Sequence, residues 1–376
     1  MRRLYGLLLL AAQVTLGIRV IRRMVRTTGG KRLERATTGE RCVVLLPVLN
    51  EEARLGPCLA ALAMTDEAVV WIIVIDGGST DGTRAIVEAA ADRDPRVELL
   101  ATGVAPDGVN GKAWQLQRGL EAAVADWILT LDADVEVAPR FPASLMARAT
   151  ADSVRLLSAG TSQRVADRVD AALHPSMLTT LVYRFGIPGM ETAESAQVQA
   201  NGQCFLIRRD LLAQLGGFAS VQDEIAEDVA LARSAARAGE RVGFVEAGEL
   251  ATAAMYAGWR ETWEGWLRSL PLFDRRNPDM SDLGLAEVTL VQAAPLLLLP
   301  YHVARGHRIA AAINIGLVAT RLGTLAGTRR AYVDPPATYW LSPLCDPAVA
   351  VGLWLSRARR THRWRGREIR RGEPTR

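Results

Sequence analysis

Trp127-Ile128-Leu129-Thr130-Leu131-Asp132-Ala133-Asp134-Val135-Glu136 is the stretch on which the reading of this chain turns. Its first five residues form an apolar run of strand length, and carboxylates begin where the run stops. Asp132 and Asp134 are two apart, so in an extended segment they face the same side, and Glu136 continues the row if the chain stays extended. Carboxylates so placed suit Mg2+ or Mn2+, leaving room for waters and a diphosphate. A bare D-x-D occurs often by chance, so its surroundings decide its weight.

Upstream, residues 42–46, 69–75 and 97–101 are further short apolar runs, and 51–63, 83–91 and 112–125 between them have helical spacing. Strand–helix alternation on this scale predicts an α/β fold with a mostly parallel sheet flanked by helices. Ligands of such sheets bind beyond the carboxyl ends of the strands. The first run leads into Pro47-Val48-Leu49-Asn50-Glu51-Glu52 and the second into Asp76-Gly77-Gly78-Ser79-Thr80-Asp81. Asp81 alone reads as a cap for the helix starting at Thr83. Three acidic strand ends on one rim repel one another unless a cation sits among them.

Other nucleotide folds fail on particular residues. No Gly-x-Gly-x-x-Gly follows a strand, and Gly111-Lys112 is no P-loop, because Pro106 stands where its first glycine belongs and Ala113 where its Ser/Thr belongs. Lys112 still stands out, since the chain has 43 arginines and two lysines. It reads either as a compact charge near the phosphates or as a chance residue on an exposed helix.

Of the 376 residues 49% are hydrophobic, and the net charge of +4 is unevenly spread. Residues 1–35 carry +8 and 357–376 carry +7, leaving −11 between them. An acidic middle excludes nucleic acid as its partner, the apolar content excludes disorder, and four scattered cysteines exclude a disulfide scaffold. Histidines 174, 302, 307 and 362 share no ligand spacing, which speaks against a zinc site. The basic ends flank apolar segments. Residues 4–18 read as a retained membrane anchor rather than a cleaved leader. Two spans are expected at about 285–303 and 309–327, interrupted by Pro295 and Pro300, with 341–355 lying in the interface. Positive-inside bias then puts 22–35 and 357–376 on the same, cytoplasmic side, against an anionic membrane surface. The expected organisation is an anchor and basic segment (1–35), a catalytic domain (36–283), membrane-associated helices (284–356) and a basic tail (357–376).

From about Cys42 to Leu270 these segments resemble the family 2 glycosyltransferases of the GT-A fold. Pro47-x-Leu49-x-Glu51 is similar to the family's first-strand motif, and Asp132 and Asp134 match its metal-binding D-x-D. Asn201-Gly202-Gln203-Cys204-Phe205, Leu215-Gly216-Gly217-Phe218 and Glu227-Asp228 follow in the order of the acceptor half. That half, and Trp364-Arg365-Gly366-Arg367 in the tail, most resemble the hopanoid-associated and carotenoid glycosyltransferases. The resemblance implies that Pro47, Leu49 and Glu51 border the base and ribose of a nucleotide-diphosphate sugar, with Ala133 beside them in the D-x-D. It implies that Asp76 reads the base, although Gly77 stands where the family often has a second Asp. It also implies Glu136 as a further metal ligand, Gly202 and Gln203 on the acceptor side, and Asp228 as the base that deprotonates the acceptor, with Glu227 raising its pKa or holding the loop. Asp223 and Glu224 are the fallback bases, and the opening of a helix is the plainer reading of Glu227-Asp228.

Trp259, Trp263 and Trp266 fall on one helical face. They form either a packing face or the wall where a lipid acceptor meets the cleft, the latter putting Trp263 and Trp266 beside the acceptor. The Gln-x-x-Arg-Trp order of processive synthases is absent from that stretch, which favours transfer of a single sugar. The expectation is an inverting, metal-dependent glycosyltransferase on the cytoplasmic face of a bacterial membrane, acting on a hydroxyl of a carotenoid- or hopanoid-like lipid. Transfer to a polyprenyl phosphate, where Arg208-Arg209 would serve the acceptor, and a non-catalytic sugar-nucleotide-binding protein are the alternatives.

Overall fold

The computed structural model describes residues 2–272, 278–359, 361–364 and 367–370. Nine strands form one sheet: β1 (Cys42–Val48), β2 (Val69–Asp76), β3 (Val97–Ala101), β4 (Trp127–Leu131), β5 (Val135–Val137), β6 (Leu156–Gln163), β7 (Met190–Thr192), β8 (Cys204–Arg208) and β9 (Val242–Ala253). The order is β3-β2-β1-β4-β8-β6-β9-β5, with β7 also on β9. The first four strands pair in parallel, as the alternation of runs and helices requires. Beyond them the sheet is mixed, because β8 runs antiparallel to both β4 and β6. That reversal brings the start of β8 to the carboxyl end of β4, with Leu131 opposite Cys204.

Residues of β1 alternate between two cores, as a strand buried on both faces must. Val44, Leu46 and Val48 pack with α2 (Leu55–Ala63), α3 (Thr83–Ala91) and α5 (Phe141–Ala151). Val43 and Leu45 pack with α4 (Gly111–Ala122), α7 (Arg209–Gln214) and α8 (Glu227–Arg237). The helix expected from residue 51 starts only at Leu55, because 51–54 form a turn in which Glu51 pairs with Arg54 at 3.2 Å. Cys42, Cys58 and Cys204 are buried free thiols, and Cys345 is half-buried.

A third core joins α6 (Arg168–Phe185), α9 (Trp259–Ser269), α10 (Pro278–Glu287) and α13 (Asp346–Ala358). It lies between the nine-stranded sheet and the apolar helices α1 (Arg2–Thr27), α11 (Ala294–Ala304) and α12 (Arg308–Thr328). A π-helical turn at Val288–Ala293 fuses α10 to α11. Among the described residues, three helices are long and apolar enough to cross a membrane: Leu4–Thr27, Asp279–Ala304 and Arg308–Ala331. Pro295 and Pro300 leave the second one continuous: Pro295 sits in the first turn of α11, next to the π turn, while Pro300 lies inside the helix and removes one backbone hydrogen bond without ending it. Glu287, itself buried, accepts hydrogen bonds from Arg19 at 3.0 Å and Arg23 at 2.8 Å, tying α1 to α10. Of the basic tail, Arg360, Arg365, Gly366 and 371–376 lie outside the described residues; β10 (Thr361–Trp364) and β11 (Arg367–Arg370) form an antiparallel hairpin.

Candidate active site

A cavity of about 410 Å3 opens where β1 and β4 end and β8 begins. Pro47, Leu49 and Glu51 line it from the end of β1 and the turn after it, Asp132, Ala133 and Asp134 from the turn after β4, Gly202 and Gln203 from the turn before β8, and Glu227 and Asp228 from the first turn of α8. Lys112, on the first turn of α4, stands at its centre. The Lys112 Nζ lies 2.6 Å from an Asp132 oxygen and 3.1 Å from Glu227, and donates to the Gly202 carbonyl at 3.4 Å. Burial works against its charge, but Asp132, Glu227 and Asp228 outweigh burial and hold the ammonium well above the usual lysine range. A Cβ on Gly202 would come within 2.7 Å of that Nζ and 3.2 Å of an Asp228 oxygen, so only glycine leaves both side chains in place.

Asp228 accepts the Gly202 amide at 2.5 Å. Its pKa is pushed up to about 7, first by burial and then by the adjacent Glu227 charge. Asp134 also rises to about 7, through burial and then Asp132, and its Oδ1 is buried with no hydrogen-bond partner. The amide nitrogen of Gln203 is likewise buried and unpartnered, while its oxygen accepts from Thr161 at 2.8 Å and Asn201 at 2.9 Å.

Four expectations need correction. Asp132 and Asp134 share the cavity, yet not through an extended segment: Ala133 and Asp134 form a turn closed by the Val135 amide on the Asp132 carbonyl at 3.2 Å. That turn carries Glu136 out of the row, and its carboxylate pairs with Arg164 at 2.7 Å instead of lining the cavity. Asp76 is fully buried outside the cavity lining, accepting the Ser79 amide at 2.9 Å and pairing with Arg84 at 2.6 Å. Burial would raise its pKa, but the Ser79 and Arg84 hydrogen bonds outweigh burial and lower it. Trp263 and Trp266 face the third core, Trp263 against Gly352 of α13 and Trp266 edge-on to His174 at 4.9 Å. The opposite side of α9 lines the cavity, with Glu261, Glu264 and Arg268.

Asn110 is a site residue that the sequence reading passed over. Its side chain caps α4 by accepting the amides of Lys112 and Ala113, and donates to the Glu224 carbonyl at 2.8 Å. The signal was present as an Asn directly before a helix-starting Gly-Lys. Arg54 and Tyr256 also line the cavity and had no signal, since each is contributed by a loop.

Among the described residues, no group of three or more His, Cys, Asp or Glu forms a metal-holding cluster. Two carboxylates, one with an unpartnered buried oxygen, nonetheless fit Mg2+ or Mn2+, which are commonly held by one or two carboxylates, several waters and substrate phosphates.

Residues 43–216 match the model of glycosyl transferase family 2. Over those residues the chain carries that family's domain. It is 28% identical over 238 residues to an N-acetylglucosaminyl-diphospho-decaprenol L-rhamnosyltransferase of Mycobacterium tuberculosis, covering 55% of this chain and 75% of that one. It is 36% identical over 142 residues to an undecaprenyl-phosphate 4-deoxy-4-formamido-L-arabinose transferase of Shewanella sediminis, covering 36% and 40%. A mannosyltransferase from Pyrobaculum calidifontis, solved with GDP-mannose and Mn2+, shares the fold at a TM-score of 0.54 and 20% identity, covering 90% of this chain and 99% of that one. The architecture is therefore GT-A, and the chain is a glycosyltransferase.

Proposed function

We propose that this glycosyltransferase moves one sugar from a nucleotide-diphosphate donor to a hydroxyl of a hydrophobic, membrane-borne acceptor, with inversion at the anomeric carbon. The observation that carries the reading is Asp228, half-buried at the cavity wall, oriented by the Gly202 amide and raised to about 7. A carboxylate with that pKa can take a proton from an attacking hydroxyl near neutral pH. Pro47, Leu49 and Glu51 would border the nucleoside. Asp132 and Asp134 would hold a divalent ion, which when bound offsets charge on the departing diphosphate. Lys112 would give up its contact with Asp132 to face the diphosphate. Gln203 offers its unpartnered amide to the incoming sugar or acceptor.

The charge of the cavity favours a hydroxyl acceptor. Seven carboxylates line it against three cationic side chains, so a phosphate nucleophile would bring further negative charge to an acidic wall. The relative from M. tuberculosis is named for a lipid-diphosphate-linked sugar acceptor, which also presents hydroxyls. We place carotenoid- and hopanoid-like alcohols in the same class. The second reading, transfer to a polyprenyl phosphate, rests on the name of the S. sediminis relative. It predicts that Asp228 is dispensable. Residues 36–283 would form the catalytic unit on the cytoplasmic face of a bacterial membrane, with 284–356 and α1 in or on the bilayer. A donor screen with Mg2+ and Mn2+, scored by mass shift on extracted lipids, tests the whole reading. A sugar mass on a lipid alcohol supports it; a sugar found only on polyprenyl phosphate overturns the acceptor class.

A further inference from the structure

Arg19, Arg22, Arg23 and Arg26 stand at positions i, i+3, i+4 and i+7 of α1, which is one stripe of a helix. The stripe lies at the end of the apolar segment Leu4–Thr27 and forms one wall of a second cavity, of about 510 Å3. The opposite wall is the segment from Phe185 to Thr192, with Val242 and Phe244 of β7's neighbour β9 also lining the space. This wall is fastened to α1: the Ile187 amide donates to the Thr27 hydroxyl at 2.9 Å, and the Lys31 amide to the Gly189 carbonyl at 3.1 Å. Gly30 and Gly189 meet so closely that a Cβ on Gly189 would lie 2.5 Å from the Gly30 carbonyl carbon, so the cavity is held shut at that end by backbone contact.

The four arginines are not equivalent. Arg19 and Arg23 share one carboxylate, that of Glu287. Arg22 and Arg26 have no carboxylate partner among the described residues, although both line the cavity. The acids on the far wall are Glu191, which faces Arg241 at 3.8 Å, and Glu194. Two unpaired guanidinium groups one turn apart can grip a phosphate by paired N–H donors. A phosphate at this height of a membrane helix is that of a lipid headgroup.

We propose that this cavity is a binding site for the phosphate headgroup of an anionic phospholipid, clasped by Arg22 and Arg26. The inference rests on α1 lying in a membrane, and it is separate from the sugar-transfer cavity. Gln197 and Gln199 line the headgroup cavity, while Asn201 and Gly202 line the catalytic one. Lipid in the first would therefore steady the strand of chain that holds Gly202 on Asp228.

The test uses the full chain in nanodiscs of phosphatidylcholine with one fifth phosphatidylglycerol, with retained lipid read by native mass spectrometry after release into detergent. Phosphatidylglycerol should be retained in preference to phosphatidylcholine by about tenfold over its share. Arg22→Ala/Arg26→Ala should abolish the preference, Arg22→Lys/Arg26→Lys should reduce it, and Arg305→Ala/Arg308→Ala, the same charge loss at the α11–α12 turn, should keep it. An equal loss in the Arg305/Arg308 variant would reduce the effect to bulk charge and overturn the site. Equal retention of both lipids by the unaltered chain would overturn it too. Displacement of the lipid by free glycerol phosphate at millimolar concentration would make it a soluble-phosphate site and overturn the lipid assignment. A chain that fails to enter nanodiscs at all would overturn the membrane reading itself. Unchanged melting temperatures of the variants exclude misfolding as the cause.

Discussion

Asp228 and Asp134 are both pushed up to about 7, by burial first and then by a neighbouring carboxylate, and the different parts proposed for them are measurable. Asp228 must be ionised to accept a proton, so kcat/KM should rise with pH and level off above about 7, where the carboxyl loses its own proton. Asp228→Asn should lower transfer by about 100-fold or more and flatten that limb, while nucleotide binding, followed by calorimetry, stays intact. Unimpaired transfer in the variant would remove Asp228 as the base. Asp134 is raised above its unfolded value, so it contributes a penalty that grows as pH climbs past the normal carboxylate range and is absent in acid. Without metal at pH 8, Asp134→Asn should therefore melt higher than the unaltered protein, by about 2–4 °C for each kcal/mol relieved. If Asp132 and Asp134 hold the ion, Mn2+ should raise the melting temperature of the unaltered chain and not that of this variant, and an equal rise in both would take Asp134 out of the proposed metal site.

At the scale of elements, the parallel half of the fold was legible because each strand announced itself twice, by an apolar run and by the acidic turn after it. β1, β2, β3 and β4 lie within two residues of the runs read from sequence. The reversal at β8 was not legible, since a buried antiparallel strand and a buried parallel one carry the same apolar residues. The same limit applies to Glu136 and to the tryptophans. Alternation places a side chain on a face only while the backbone stays extended, and the Ala133-Asp134 turn ended that. Helical spacing grouped Trp263 with Trp266 correctly but could not say which of two neighbours their face would meet. The turn before β8 supports a prediction of its own. Gly202→Ala should leave the strand paired but drive Lys112 and Asp228 apart, costing turnover with little change in melting temperature. Full activity in that variant would mean the close approach is incidental. Glu287→Ala should destabilise the chain by about 3 kcal/mol, the lower end for a broken buried pair because Arg19 is partly exposed. Its melting temperature reads the effect directly.

Across the whole molecule, the uneven charge acquires a layout. The positive stripe of α1 stands where the apolar helices meet the sheet, and the acidic cavity opens from the rim of that sheet. A reporter fused after residue 376 should read out on the same face as one inserted near residue 35, because three crossings separate the two chain ends and two separate these positions. Opposite faces would mean that one of the apolar helices does not cross. The composition adds a practical consequence. With 43 arginines and two lysines in the chain, amine-selective reagents have almost nothing to modify. Lys31 is exposed and reacts freely, whereas Lys112 is held protonated between Asp132 and Glu227. The ratio of acylation at Lys112 to that at Lys31 is then an internal gauge of what fills the catalytic cleft, readable by peptide mass alone, with Lys31 as the clock against which every donor, metal and acceptor is timed.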